Sequence, residues 1–399
     1  MSLKNILRRV FCIHIVGLSV SDAHGRMFVK LLIQPEDGIA PLVEALDKAK
    51  KNIRILIFRF DRPEIEKALV AAVQRGVSVQ AMIAFTNEGE EKNLRRLEMR
   101  LLEKGITVTR TADDLVRYHG KMIIVDDKIL YLLAYNFTHL DIDLSRSFGV
   151  VTKNESTVKE AVRLFECDGK RQRFTDPKGD LVVSPVNARE SLTKFIKGAK
   201  KHLLLYEMKI SDREFLSLLN KKISEGVLVR VLSRVAAKNG AMPVRRLAGR
   251  MHLRAILRDG DSAFVGSQSL RRLELDARRE IGIVFQHKPI VKRMEAIFES
   301  DWNKSEPVVE SDAVAVAFSV PAKKVAREVM KQVPMKPVIE QVLDKVIDSK
   351  EGSIEPAEVA QTMREVFREE VQGAVVDAVR GLVTQASLED EEMTTTQGK

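Results

Sequence analysis

LIQPEDGIAPLVEALDKAKKNIRILIF, residues 32–58, is answered by VVSPVNARESLTKFIKGAKKHLLLYEM, residues 182–208. Pro35 faces Pro185, Leu42 faces Leu192, Ala49-Lys50-Lys51 faces Ala199-Lys200-Lys201, and Glu64 faces Glu214, each pair 150 residues apart. Further on the offset shortens to 133: His119 answers His252, Phe165-Glu166 answers Phe298-Glu299, and Asp168 answers Asp301. The chain therefore holds two copies of one unit, about residues 29–168 and 180–303. The first copy carries 17 extra residues ahead of its histidine. Most of them are the charged stretch Glu91–Lys104, whose Leu94, Leu97, Leu101 and Leu102 share a helical face.

Each copy reads as mixed α/β. In the first, Met27–Ile33 is strand-like, Pro41–Lys51 has helical spacing, and Ile53–Phe60 is a continuous apolar run of buried-strand type. Glu64–Arg75 is helical with Gly76 as its stop, and Val77–Ile83 is a strand again. This alternation predicts a parallel or mixed sheet covered by helices. Lys170–Asp180 links the copies. From about Ser311 the character changes: Val338, Val342 and Val346, then Val359, Met363, Phe367, Val371, Val375 and Val379, recur at helical spacing. The expected domains are an N-terminal segment 1–28, a first half 29–168, a linker 169–180, a second half 181–305, a helical appendage 306–387 and a disordered tail 388–399.

Composition narrows the classes. The chain has 399 residues, a net charge of +10 and an isoelectric point near 9.4, which favours anionic partners. The surplus is uneven: residues 311–399 carry 11 Lys/Arg and 16 Asp/Glu, so the first 310 carry a net +15. Two cysteines, Cys12 and Cys167, exclude a disulfide scaffold and a Cys-rich zinc site. His14, His24, His139, His202 and His287 are scattered without ligand spacing, and no structural metal is expected. No stretch approaches the ~20 apolar residues that span a bilayer. Lys4, Arg8 and Arg9, the run Val10–Val20 and then Ser21-Asp22-Ala23 have the order of a secretion signal. The run is short and broken by His14 and Gly17, so a buried or surface-lying segment is the better expectation and export the weaker.

The two histidines lie in one frame: His119-x-Lys121-x4-Asp126 and His252-x-Arg254-x4-Asp259. Chance gives a histidine this frame about once in a hundred. Two hits at matching places of a repeat describe a site. On a strand, His119 and Lys121 point to the same face, as do His252 and Arg254. Asp259-Gly260 is a strong hairpin signal, so the aspartates stand in or beside turns and a purely structural role is open for them. Seventeen residues after each histidine stands Asn136 or Ser269; fourteen and fifteen after stand Leu133-Ala134 or Gly266-Ser267; twenty-eight after stands Ser147 or Glu280.

These residues resemble the phospholipase D superfamily, with its two H-x-K-x4-D motifs, each followed by G-S-x-N and a later glutamate. The resemblance covers roughly residues 29–303. It implies an α/β fold of two tandem α/β/α sandwich halves related by a pseudo-twofold, here with a C-terminal helical appendage. It also implies metal-free phosphodiester exchange with no cofactor. One histidine forms a phosphohistidine; the other protonates the leaving alcohol and then activates water or a second alcohol. On this resemblance His119, Lys121, Asp126, His252, Arg254 and Asp259 are the catalytic set. Asn136, Gly266, Ser267, Ser269 and Glu280 are the substrate-binding set, with Glu280 also placed to hold a histidine in one tautomer. Lys121 and Arg254 would stabilise charge on the transition-state oxygens.

The copies have diverged in complementary ways. The first keeps Lys121 and Asn136 but has Leu133-Ala134 and Ser147 where the family has Gly-Ser and glutamate. The second keeps Gly266-Ser267 and Glu280 but has Arg254 for lysine and Ser269 for asparagine. By family analogy the glutamate supports the attacking histidine, which favours His252 as nucleophile and His119 as acid/base. Arg254 is the departure that bears most on activity, because a planar fork replaces a compact ammonium.

The leading reading is a phospholipase D-like hydrolase or a transphosphatidylase of the cardiolipin synthase kind. Its partner would be a phospholipid, met through peripheral contact with an anionic membrane, and its place cytoplasmic or peripheral to a membrane. Two other readings stay open. One is a nuclease of the same superfamily, favoured by Arg245-Arg246, Arg250, Arg271-Arg272 and Arg278-Arg279. Only 5% of residues are aromatic, a poor supply for stacking bases. The other is a degenerate phosphodiester-binding protein whose helical tail binds protein.

Overall fold

A computed structural model describes residues 28–85, 91–233, 242–247 and 249–307. The first 27 residues, the helical appendage beyond residue 307 and the tail lie outside the described residues.

The first half runs β1 (Val29–Gln34), α1 (Ala40–Asp47), β2 (Asn52–Ile57), α2 (Pro63–Gln74), β3 (Ser78–Ile83), α3 (Glu91–Glu103), β4 (Thr107–Arg110), β5 (Arg117–Tyr118), β6 (Met122–Val125), β7 (Ile129–Leu133), α4 (His139–Ile142), β8 (Ser145–Thr152) and α5 (Glu155–Gly169). The second runs β9 (Leu181–Val183), α6 (Ala188–Lys197), β10 (His202–Glu207), α7 (Arg213–Ser224), β11 (Leu228–Ser233), β12 (Val244–Arg246), β13 (Arg250–Met251), β14 (Arg254–Arg258), β15 (Ser262–Gly266), α8 (Arg272–Asp276), β16 (Arg278–Arg279), β17 (Ile281–Gln286), α9 (Lys288–Asn303) and β18 (Glu306–Pro307). Glu306 and Pro307, which the sequence placed at the head of the helical appendage, instead extend the second sheet by pairing with β12.

Local chemistry sets these boundaries. Pro63 opens α2 with Glu64 and Glu66 in its first turn, where the helix dipole favours acids. Gly76, at φ +83°, ends it. Asp212 caps α7 by accepting from the amides of Glu214 and Phe215.

The sheets follow the order β1-β8-β7-β6-β2-β3-β4 and β18-β12-β11-β10-β14-β15-β17-β9. Their registers repeat the sequence offsets. Leu56 faces Met122 where β2 meets β6, and Tyr206 faces Ala255 where β10 meets β14. The strand period of two then sorts the side chains. Leu32 joins α1, α2 and α3 in one outer core, while Leu31 and Ile33 turn the other way. The inner faces of both sheets share a single core with α5 and α9, built from Leu56, Met122, Phe148, Tyr206, Ala255, Ile281 and Phe298 among others. A third cluster lies between the second sheet and α6 and α7.

The halves also exchange backbone. β13 of the second half pairs with the start of β8 in the first, and β16 of the second pairs with β5 of the first, both parallel. One pairing becomes the other when the copies are exchanged: Arg250 faces Ser145, and Arg117 faces Arg278. Side chains repeat the exchange. Arg146 Nε donates to Asp301 at 2.9 Å, and Arg279 Nη2 lies 3.1 Å from Asp168, each pair crossing between halves.

Candidate active site

The interlock places the histidines. The amide of His119 donates to Arg279 O at 2.8 Å, and that of His252 donates to Arg146 O at 3.1 Å. The histidines do not stand within strands as expected: His119 lies in the link between β5 and β6 and His252 in that between β13 and β14, each held by the other half's backbone. Gly120 lets this happen on the first side. A Cβ there would lie 2.4 Å from Ile281 Cδ1 and 2.9 Å from Leu56 Cδ2, so only glycine brings His119 and Lys121 this close to the opposing strand.

His119 is 7% exposed and pinned on three sides. Its Nδ1 donates to Glu280 Oε2 at 2.8 Å, Lys121 Nζ stands 2.8 Å from Nε2, and the Phe58 ring meets it edge-on at 4.5 Å. With Nδ1–H given to the carboxylate, the Nε2 lone pair faces Lys121 and the site. Burial pushes the His119 pKa well below the ordinary imidazole value, and Lys121, Arg254, Arg117 and His252 push it the same way. Both imidazoles and both cations therefore act within one site. Burial likewise depresses Lys121, opposed by Glu280. It raises Glu280 to about 7, helped by Glu274.

His252 Nδ1 lies 3.1 Å from Asp141 Oδ2, within ion-pair range but out of line for a good hydrogen bond. Asp141 is saturated: Oδ2 accepts from the amide of Asn136 at 2.9 Å and from its Nδ2 at 2.7 Å, and Oδ1 meets Arg250 Nη1 at 2.5 Å. Burial opposes its ionisation, but His252 and Arg250 hold its carboxyl well below the usual range. Burial lowers His252 to about 3 despite Asp141.

Most expected residues converge here. His119, Lys121, Asn136, Arg254, Ser267, Ser269 and Glu280 are buried and His252 is partly buried. Their roles differ from the expected division in four respects. Glu280 does not hold the histidine of its own copy; it crosses to His119, which removes the ground for favouring His252 as nucleophile. Asn136 spends its amide on Asp141. Ser267 accepts from the Ile281 amide at 3.0 Å, and Gly266 is a packing residue whose Cβ would sit 2.7 Å from Gly282 Cα. Asp126 and Asp259 are not at the site at all. Both take left-handed φ, +55°, in hairpin turns at the far ends of their strands. Asp126 accepts from the amides of Lys50, Lys51 and Asn52, and Asp259 from those of Lys200, Lys201 and His202. These bonds hold both carboxyls below the usual range against the cost of burial.

Sequence reasoning missed Asp141, Phe58 and Glu207. Asp141 had a signal: it stands 22 residues after His119, as Glu274 stands 22 after His252, and both are acidic. The equivalence extends to the backbone amide each accepts from, Asn136 or Ser269, but not to a histidine. Glu274 accepts from the Ser269 amide at 2.7 Å and pairs with Arg271 at 3.1 Å. Burial opposes its ionisation, but Arg271, Arg254 and Arg278 bring it to about 2.

A family model described as "Cardiolipin synthase, PLD-like domain" matches residues 42–168 and 192–302. The mitochondrial cardiolipin hydrolase of Canis lupus familiaris is 28% identical over 131 residues, 33% of this chain and 50% of that protein. The chain thus spans about half the length of this curated relative. Among solved structures, the polyphosphate kinase of Porphyromonas gingivalis has a TM-score of 0.61 at 19% identity, over 71% of this chain and 49% of that one. The phosphatidylserine synthase of Haemophilus influenzae Rd KW20 has a TM-score of 0.57 at 10% identity, over 84% and 95%. These two structures match in fold. No helix among the described residues is long and apolar enough to cross a membrane.

Proposed function

This chain belongs to the phospholipase D superfamily, and from that premise we propose that it cleaves or exchanges the phosphodiester of a phospholipid through a covalent intermediate on His119. The observation that carries the proposal is the pair of buried histidine–carboxylate contacts that cross between copies, His119–Glu280 and His252–Asp141. Cardiolipin is the first substrate to try, because the mitochondrial relative is a cardiolipin hydrolase.

Glu280 takes Nδ1–H, so the Nε2 lone pair of His119 faces the site and can attack phosphorus once Lys121 turns its ammonium from Nε2 to a phosphate oxygen. Attack forms the N–P bond while the P–O bond to the leaving alcohol breaks. His252 gives that oxygen a proton. It then takes a proton from water or a second alcohol, whose oxygen displaces His119 from phosphorus. Burial and nearby cations favour the neutral form of both imidazoles before substrate binds. An arriving phosphodiester brings negative charge that offsets those cations, so His252 can take up the proton it must deliver. Lys121 and Arg254 are placed to carry the charge of the equatorial oxygens. Charge steering by the basic first 310 residues supports peripheral contact with an anionic membrane.

The test is turnover of cardiolipin and phosphatidylglycerol vesicles in EDTA, with plasmid DNA as the competing substrate. His252→Ala, incubated with lipid labelled in its phosphate or acyl chains and denatured under alkaline conditions that spare an N–P bond, should retain a phosphatidyl adduct on His119, and His119→Ala should retain none. An adduct that survives loss of His119 would overturn the assignment. Cleavage of DNA alone would move the substrate class to nucleic acid.

A further inference from the structure

The second copy departs from the first at three positions that meet in space. Lys121, Asn136 and Ile57 in the first copy correspond to Arg254, Ser269 and Glu207 in the second. The sheet registers fix the third correspondence: Leu56 faces Met122 and Tyr206 faces Ala255, so Ile57 and Glu207 follow at the same strand end. Ile57 is a fully buried core residue beside the lysine strand. Glu207 is a carboxylate only 2% exposed beside the arginine strand.

The three second-copy residues are joined. Arg254 Nε donates to Ser269 Oγ at 3.2 Å. Glu207 fixes the backbone beside that serine, accepting from the amide of the next residue, Leu270, and the Arg254 charge acts on its carboxyl. Glu207 is itself fixed, accepting from the amides of Met208 at 2.8 Å and Leu270 at 2.9 Å. Arg254 Nη1 is buried and has no protein partner. The guanidinium is thus held at Nε by the Ser269 hydroxyl and left with a donor to spend. A planar fork is useful to a phosphoryl oxygen in few orientations, and its orientation is set by what holds its other edge. A lysine needs no such grip, because its ammonium is a point charge with rotatable donors.

A bland alternative is that Glu207 only caps the two amides it accepts from. It would then matter equally whatever stands at position 254.

Resting on the phosphodiester reading of the site, we propose that Glu207 is a positioning residue: through Ser269 it orients the Arg254 guanidinium toward the substrate phosphate, and the Arg–Ser–Glu set does in the second copy what the Lys–Asn–Ile set does in the first. The substitution of arginine for the motif lysine is then a coordinated exchange rather than decay.

The test is a double-mutant cycle in the full chain: Glu207→Ile, Arg254→Lys and both together, with the triple Glu207→Ile/Arg254→Lys/Ser269→Asn as the rescue that restores the first-copy set. Thermal melting of each variant separates folding from function. Glu207→Ile alone should lower kcat about thirtyfold with KM changed less than about threefold, and should add little in the Arg254→Lys background. The triple variant should recover most of the loss. Equal losses in both backgrounds, or a triple variant as slow as Glu207→Ile, would overturn the proposal. If the wild type turns over neither lipid nor DNA, the functional reading fails and calorimetry with inorganic phosphate decides this one separately. Glu207→Ile should then weaken phosphate binding about tenfold with Arg254 present and not with Lys at that place; the same change in both would overturn it.

Discussion

Glu280 Oε2 lies 2.8 Å from His119 Nδ1, although the two side chains belong to different copies of the repeat. A glutamate that the sequence ties to one histidine therefore serves the other. Its pKa, raised to about 7 by burial and by Glu274, makes the contact sensitive to pH. Once protonated, Glu280 loses its charge and accepts from Nδ1–H only as a weaker neutral carbonyl. We expect kcat/KM on vesicles to fall as pH drops through about 7, and Glu280→Gln to lower kcat about 10²- to 10³-fold with a flatter acid limb. An unchanged pH profile in that variant would count against the tautomer role.

The same raised pKa has a cost in stability above neutrality. The folded-state value exceeds the unfolded one, so this group favours folding most below about 4.5 and loses that contribution as pH rises through about 7. Melting of wild type against Glu280→Gln across pH 4 to 8 should show the variant gaining with pH, on the order of 3 kcal/mol at the top of the range.

Asp141 and Glu274 occupy equivalent places, but only Asp141 reaches a histidine. Asp141→Asn should lower kcat about ten- to a hundredfold, beyond what the melting loss from its Arg250 pair accounts for. Glu274→Gln should show the reverse balance, because it leaves Arg271 and Arg278 without their buried partner. Steady-state kinetics paired with calorimetry distinguish the two patterns.

Asp126 serves the fold. Its carboxylate takes up three backbone amides at the start of β2, so Asp126→Ala should cost about 1–3 kcal/mol in denaturant unfolding. Turnover per folded molecule at low temperature should stay within a few-fold of wild type. Asp259→Ala should behave alike. A loss of turnover out of proportion to stability would return these residues to the catalytic set.

Arg279→Ala leaves Asp168 buried without its ion pair and should cost about 3–5 kcal/mol. Burial already raises Asp168 to about 6, so protonation relieves the variant and the deficit should shrink below that pH. Unfolding curves at pH 5 and pH 8 measure both effects.

The repeat in the sequence carried most of the fold. The offsets of 150 and 133 reappear as strand registers, and the extra helix of the first copy is α3. Periodicity records which face of its own strand a residue occupies, so it could place His119 beside Lys121. It holds no record of which partner strand lies opposite. That is why Glu280 and Asp141, whose work is done across the boundary between copies, were misassigned or missed. Glu207 was hidden for another reason. It sits in an apolar run where the first copy has Ile57, and its meaning depends on an arginine 47 residues away.

The exchange of β13 and β16 between halves has a consequence for how this site can change. Two identical subunits meeting in the same way would be bound to identical neighbours around both histidines. Joined in one chain, the halves are free of that constraint. A glutamate kept at 280 need not be matched at Ser147, and an arginine at 254 need not be matched at Lys121. Fusion thus permits division of labour: one imidazole can be tuned to attack and its twin to carry protons, with the shared backbone keeping them in reach of each other.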